Sequence, residues 1–170
     1  EKELEWSVMF QAANNKNKIR KISTALKTVN DENNKNTQVP GAVYEEGESM
    51  SAIKAVRSLG IDPTTGKELF VKKNGELTYT WDAEDKVICG DTEPKVFGNF
   101  GTNLYWKGWN LNMVFKYNFG ADYYNSTLAQ RVEGADPAKN ADRRVLKDRW
   151  KEPGQHALYK NIKDYKTTYI

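Results

Sequence analysis

Val96 to Phe119 reads VFGNFGTNLYWKGWNLNMVFKYNF, and the period of its apolar residues decides the fold. In the second half Trp109, Leu111, Met113, Phe115, Tyr117 and Phe119 fall on one side of an extended chain. Asn110, Asn112, Lys116 and Asn118 fall on the other, with Val114 alone out of pattern. Successive side chains of a strand point to opposite faces, so this stretch is a strand with one apolar and one polar wall. The first half repeats the pattern more weakly: Phe100, Thr102, Leu104 and Trp106 share one face, and Asn99, Gly101, Asn103 and Tyr105 the other. Lys107-Gly108 between them has the length of a two-residue hairpin link.

Each strand carries roughly ten residues, against about five or six in ordinary globular sheets. Aromatic residues gather at the turn (Tyr105, Trp106, Trp109) and again at the far end (Phe97, Tyr117, Phe119, Tyr123, Tyr124). The polar face is Asn-rich with one Lys, which suits a wet lumen better than a dry core. Long alternating strands, aromatic girdles, a short turn on one side and long loops on the other are the signature of an outer-membrane β-barrel. A long hairpin of a soluble sandwich gives the same alternation, with its apolar wall buried as ordinary core. Where the Trp109–Phe119 wall goes separates the two.

Outward from the hairpin, Leu4 to Ala13 (LEWSVMFQAA) is a third long strand, with Trp6, Val8, Phe10 and Ala12 on one face and Ser7, Met9 and Gln11 on the other. Asn14-Asn15-Lys16-Asn17-Lys18 has the turn-prone composition of a strand leaving the apolar zone. Ile19 to Val29 suits either a continued strand or a short amphipathic helix. Asn30 to Thr37, which holds no apolar residue, is expected as an exposed loop. From Val39 to Asp91 short apolar runs alternate with turn signals. Among these, Asn74-Gly75 between Leu69-Phe70-Val71 and Leu77-Thr78-Tyr79 is the clearest hairpin. Ser49 to Leu59 fits a helical stripe less well than strands, because glycines and turns bracket it. Ala141 to Lys151, preceded by Asp136-Pro137 and stopped by Pro153-Gly154, is expected as the one short helix. Asn161 to Ile170 alternates again and is expected as a fourth strand. The fold class is thus mainly β: antiparallel long strands and hairpins of a barrel, extended loops over about 20–95 and 120–160, and one helix.

Composition narrows the function. The 170 residues contain 26 basic and 23 acidic side chains, a mixed surface without the clustered Lys/Arg of a nucleic-acid binder. Hydrophobic residues make up 38%, so the apolar supply is thin and concentrated in the strands. The single Cys89 excludes an internal disulfide or a cysteine zinc site, and one histidine, His156, leaves little for a nucleophilic triad. No apolar run is long enough for a transmembrane helix, a test that barrel strands escape. Glu1-Lys2-Glu3 is charged with no apolar segment behind it, so no signal peptide is expected here and the chain reads as starting in mid-protein.

Several local patterns invite sharper readings. Asp62-Pro63-Thr64-Thr65-Gly66-Lys67-Glu68 and Trp81-Asp82-Ala83-Glu84-Asp85 space carboxylates closely, but neither follows the EF-hand series, and Asx turns are the expectation. Asp142-Arg143-Arg144 with Lys147 and Arg149 is expected as a solvated basic helix face paired with Asp148 and Glu152. Tyr123, Tyr124 and Trp150 are the candidates for ligand or partner contact, with interfacial anchoring or loop packing as the alternative. Asn125-Ser126-Thr127 matches a glycosylation acceptor, which matters only in a eukaryotic secretory context. No catalytic residues, metal ligands or cofactor are indicated.

Leu59-Gly60-Ile61-Asp62-Pro63-Thr64-Thr65-Gly66-Lys67, then Gly90-Asp91-Thr92-Glu93-Pro94-Lys95, then Gly98-Asn99-Phe100-Gly101-Thr102-Asn103-Leu104 leading into Lys107-Gly108-Trp109, occur in the order found in the SusC/RagA family of TonB-dependent outer-membrane transporters. Asn140-Ala141-Asp142-Arg143-Arg144-Val145-Leu146, Asp148-Arg149-Trp150 and Pro153-Gly154 follow in the same order. The chain resembles that family from about Trp6 to Gly154. The resemblance implies a barrel of roughly 22 strands with a plug, importing glycans or peptides across the outer membrane of Bacteroidetes-type bacteria. It also implies TonB as energy source and a SusD-like surface lipoprotein as partner. On that template Leu4–Ala13 rises to the outer surface, residues of about 20–95 form an extracellular loop, Val96–Trp106 descends and Trp109–Phe119 rises again. Neither plug nor TonB-contacting segment falls within these residues, so the chain is expected to transport nothing alone. The rival class is a secreted or periplasmic all-β carbohydrate-binding module. A piece of a barrel would leave strand edges and its Trp109–Phe119 wall unpaired, and is expected to associate with itself or fold its loops over the wall.

Overall fold

The computed structural model describes residues 4–35, 40–136, 138–139 and 142–164. Its frame is a three-stranded antiparallel sheet of β1 (Leu4–Ala13), β7 (Val96–Trp106) and β8 (Trp109–Phe119), with β7 in the centre. All three strands have the bounds expected from the alternation. Lys107 and Gly108 both adopt positive φ, 45° and 85°, the conformation of a type I′ link whose twist matches its flanking strands.

Register unites the faces. Phe10 faces Phe100, which faces Phe115; Trp6 faces Leu104, which faces Leu111; Leu4 and Trp106 continue to Trp109. Directly paired residues project to the same side of an antiparallel sheet, so the apolar wall runs unbroken across all three strands. The opposite wall carries Gln11, Asn99 and Lys116 in one row and Ser7, Asn103 and Asn112 in another. The Phe100 and Phe115 rings stack at 4.8 Å, and Trp6 Nε1 donates to Thr102 Oγ1 at 2.7 Å. Gly98 is needed at the centre of the sheet: a Cβ there would lie 1.9 Å from the Gln11 carbonyl oxygen. Tyr117, its cross-strand partner, covers the space and donates its hydroxyl to that same oxygen at 2.8 Å.

The loop regions hold everything else. Residues 14–95 contain α1 (Thr24–Asn34), β2 (Ala52–Ala55), β3 (Arg57–Ile61), β4 (Glu68–Val71), β5 (Leu77–Thr78) and β6 (Val87–Asp91). They form a β2–β6 pair and a β3–β4–β5 meander. The Asn74-Gly75 hairpin and the strands within Ser49–Leu59 are as the sequence indicates. Beyond β8, α2 (Ser126–Leu128) runs into a π-turn at Ala129–Glu133. The buried apolar side chains among the described residues, Val43, Val56, Phe70, Ala129, Val132, Ala135 and Val145, all lie in these loop regions.

Three expectations are corrected. Asn30–Asn34 is not loop but the second half of α1. Asn30 and Asn33, one turn apart on one face, bond through their amides to the backbone of Tyr44 and Ala42, so polar docking replaces the missing apolar stripe. The expected helix at Ala141–Lys151 is only a 3₁₀ turn at Arg143–Leu146, opened by the Asp142 carboxylate accepting from Arg144 N. Ile162–Asp164 is likewise a 3₁₀ turn rather than the start of a strand; residues 165–170 of that expected strand lie outside the described residues, as do Asn140 and Ala141.

Candidate functional site

At the ends of the long strands away from Lys107-Gly108, the chain is tied into a polar clasp. Asn15 and Asn17, just after β1, each donate from Nδ2 to the Glu93 carboxylate. Asn17 Oδ1 accepts from Met50 N at 2.7 Å and from Ser49 Oγ at 3.1 Å. Ser51 Oγ donates to Asp91 Oδ1 at 2.6 Å, and Asp122, after β8, accepts from Asp91 N at 3.1 Å. The Ser51 hydroxyl and the Glu93 N–H hold the Asp91 carboxyl below the usual range. A polar cleft of about 230 Å³ lies among these residues. Its carboxylates accept from amides and hydroxyls, so the chemistry here is that of a structural knot.

A second tie joins the two loop regions. Asp62 closes an Asx turn, accepting from Thr64 N at 2.9 Å, Thr65 Oγ1 at 2.8 Å and Tyr79 Oη at 2.8 Å. The Thr64 N–H first, then the Tyr79 hydroxyl, lower its pKa to about 2. Gly66 in this turn has φ 71°, and a Cβ there would lie 2.4 Å from the Trp150 ring. Trp150 Nε1 and Gly154 N both donate to the Pro63 carbonyl at 2.9 Å. The family-like blocks at 59–67 and 148–154 therefore meet in space.

Beside Trp150, Arg149 is 2% exposed. Its Nη2 donates to the carbonyls of Val132 (2.5 Å) and Glu133 (2.6 Å), its Nη1 to that of Lys160 (3.2 Å), and its Nε to that of Val145. The expectation of a solvated basic face fails at this residue. With only a 3₁₀ turn at Arg143–Leu146 in place of the expected helix, the guanidinium turns inward, where its planar fork gathers carbonyls from three loop segments. Sequence reasoning missed it, because an arginine in a run of charges carries no local mark of burial.

Over this node lies an open groove of about 610 Å³ between β3, β4, the tip of the 126–133 turn and Leu158. Its lining mixes apolar side chains, Leu59, Ile61, Leu128 and Leu158 among them, with Arg57, Ser58, Glu68, Glu133 and Cys89. Both carboxylates are more than nine-tenths buried. Lys160 Nζ lies 3.4 Å from Glu68 Oε2. Burial first, then the charge of Glu68, push the Glu133 carboxyl up to about 7, against the opposing pull of Lys160 and Arg149. None of these four charged groups stood out as a cluster in the sequence, where they are spread from 68 to 160.

The three candidate contact residues are not brought together. Trp150 is seated on Gly66. Tyr124 is half-buried, lines a separate cavity with Pro40 and Ile53, and has its hydroxyl pKa raised by burial and by Glu133. Tyr123 is 77% exposed. Asn125 caps α2 through Leu128 N. The wall residues Trp109, Leu111, Met113, Phe115 and Phe119 are exposed and Tyr117 is half-buried, so the loops do not fold over the wall. No group of three or more His, Cys, Asp or Glu side chains placed to hold a metal ion occurs among the described residues.

No family model matches the chain. Over 154 residues it is 25% identical to TonB-dependent receptor P3 of Formosa agariphila, an alignment covering 76% of this chain and 14% of that receptor. Its backbone matches part of a chain in the structure of the RagAB peptide transporter with a TM-score of 0.64, at 21% identity, over 92% of this chain and 18% of that one. The chain thus spans about one seventh of the curated relative it matches. The resemblance to SusC/RagA-type TonB-dependent transporters stands in the sequence similarity, and the mainly-β fold in the backbone similarity.

Proposed function

We propose that this chain is part of the wall and outer loops of a TonB-dependent transporter that imports a nutrient across a bacterial outer membrane, and that its role is non-catalytic. The observation that carries the reading is the apolar wall continuous over β1, β7 and β8, solvent-exposed and backed by an Asn-rich polar wall. In a bilayer the first wall meets lipid and the second lines a wet lumen, and further strands pair with the open edges of β1 and β8. The two loop regions, locked together through Trp150 and the strand-end clasp, then sit as one body above the barrel. There they contact the substrate, a glycan or a peptide, and a SusD-like lipoprotein, with the exposed Tyr123 as a contact residue. Separated from the remaining strands, the sheet would associate with a second copy through its edges and wall.

An antibody against this chain, applied to fractionated source cells, tests the proposal. The expected outcome is a band several times larger than 19.4 kDa in the outer-membrane fraction. A band near that mass in a soluble fraction overturns it and returns the aromatic residues to the role of a carbohydrate platform.

A further inference from the structure

We infer that Lys16, Lys18 and Arg20, just beyond β1, form a cationic row that binds the phosphate headgroups of anionic lipid at the rim of the bilayer. The inference rests on the proposal that the apolar wall faces lipid, and it names what that wall meets at the end away from Lys107-Gly108.

Between Glu5 and Asp31 the sequence carries Lys16, Lys18, Arg20, Lys21 and Lys27 and no acidic residue. The period of the apolar wall on β1, Leu4, Trp6, Val8, Phe10 and Ala12, runs on through Asn14 to Lys16, Lys18 and Arg20. The structure keeps the alternation: the three cations are exposed, and Asn17 and Ile19 between them are half-buried. Asn15 and Asn17 are held by Glu93, and Ile19 by backbone bonds of 2.8 Å to Glu48 and Gly47. The nearby carboxylates are engaged elsewhere. Glu93 takes the two asparagines, Glu46 accepts from Ile22 N at 3.0 Å, and Glu45 and Glu48 pair with Lys54. None of the three cations has an ion-pair partner among the described residues. Residues two apart on an extended segment lie about 6.6 Å from each other, so the row offers its charges to several headgroups rather than to one small anion. On the same period lie the exposed Trp6, Val8 and Phe10. A soluble polyanion has no use for that apolar wall. A lipid matches both, its tail against the wall and its phosphate against the row.

The test transfers the full chain from non-ionic micelles to phosphatidylcholine vesicles with and without phosphatidylglycerol, and measures the bound fraction by vesicle flotation at low and high salt. Binding to neutral vesicles reads the wall; the gain on adding phosphatidylglycerol reads the row. The expected gain is about a hundredfold in partitioning, shrinking as salt is raised. Lys16→Gln, Lys18→Gln and Arg20→Gln together, at exposed positions where folding is little affected, are expected to remove most of the gain and leave neutral-vesicle binding intact. Lys73→Gln, Lys147→Gln and Lys151→Gln, exposed in the loop regions, remove the same charge and are expected to keep it. Equal binding of the unaltered chain to both vesicles, or equal loss in the two triple variants, overturns the inference while the wall still meets lipid. A gain that depends on the row without any binding to neutral vesicles supports the row and overturns the lipid-facing wall. Absence of binding to either vesicle overturns both.

Discussion

The long-stranded sheet and the loop body obey opposite rules. In β1, β7 and β8 nearly every large apolar side chain is exposed, Trp6 at 68%, Phe10 at 69% and Trp109 at 77%. In the loop body charged groups are buried, Lys54 at 5%, Arg149 at 2% and Glu133 at 5%. A soluble domain does the reverse in both places. The difference teaches that the sheet is held by its backbone ladder, its apolar wall left uncovered. The loops are held by hydrogen bonds and ion pairs of the kind that Lys54 makes with Glu45 and Glu48 at 2.8 and 2.5 Å.

The comparison can be broken most severely at Gly98. Gly98→Val forces a side chain into the Gln11 carbonyl, and overpacking of this kind costs about 3 kcal/mol or more. The folded, heat-modifiable form on a cold gel is expected to disappear while the loop sequence is untouched. Next, Met113→Arg on the apolar wall is expected to cost about 2–4 kcal/mol in bilayers, and Asn112→Arg on the polar wall less than about 1 kcal/mol. Equal costs in unfolding titrations from vesicles would mean that neither wall faces lipid. Third, Arg149→Ala strips the donor from four carbonyls, an expected loss of about 2–3 kcal/mol confined to the loops. Hydrogen exchange should rise in residues 126–160 and stay constant in β7 and β8.

The smallest expected effect is on pH dependence. The Glu133 pKa is raised to about 7 in the folded chain from an ordinary carboxyl value near about 4.3, so between these values the folded state holds more protons than the unfolded one. Stability therefore falls as pH rises through that window and levels off above it. Glu133→Gln should flatten this slope, shifting the loop melting temperature at pH 8 upward by about 2–4 °C. An unchanged slope in calorimetric scans from pH 5 to 8 would show that the carboxyl is not what titrates.

The strand bounds, the faces, the Lys107-Gly108 turn, the Asn74-Gly75 hairpin and the Asp62 turn were legible in the sequence, because period-two alternation and turn chemistry act between near neighbours. The second half of α1 was not, since Asn30 and Asn33 read as loop until the backbone of Ala42 and Tyr44 is placed beside them. Arg149 was not either: its burial follows from segments at 132–133, 145 and 160 arriving together. Of the candidate site, the sequence alone marked Trp150 but not its partner. Its bond to the Pro63 carbonyl crosses 87 positions, and the groove gathers residues from β3 to Leu158. A residue's type and spacing determine which way it faces along its own strand. Which distant carbonyl or carboxylate it meets is decided only when the tertiary structure brings the loops together, because hydrogen bonds and charges act over a few ångströms in space, whatever the separation along the chain.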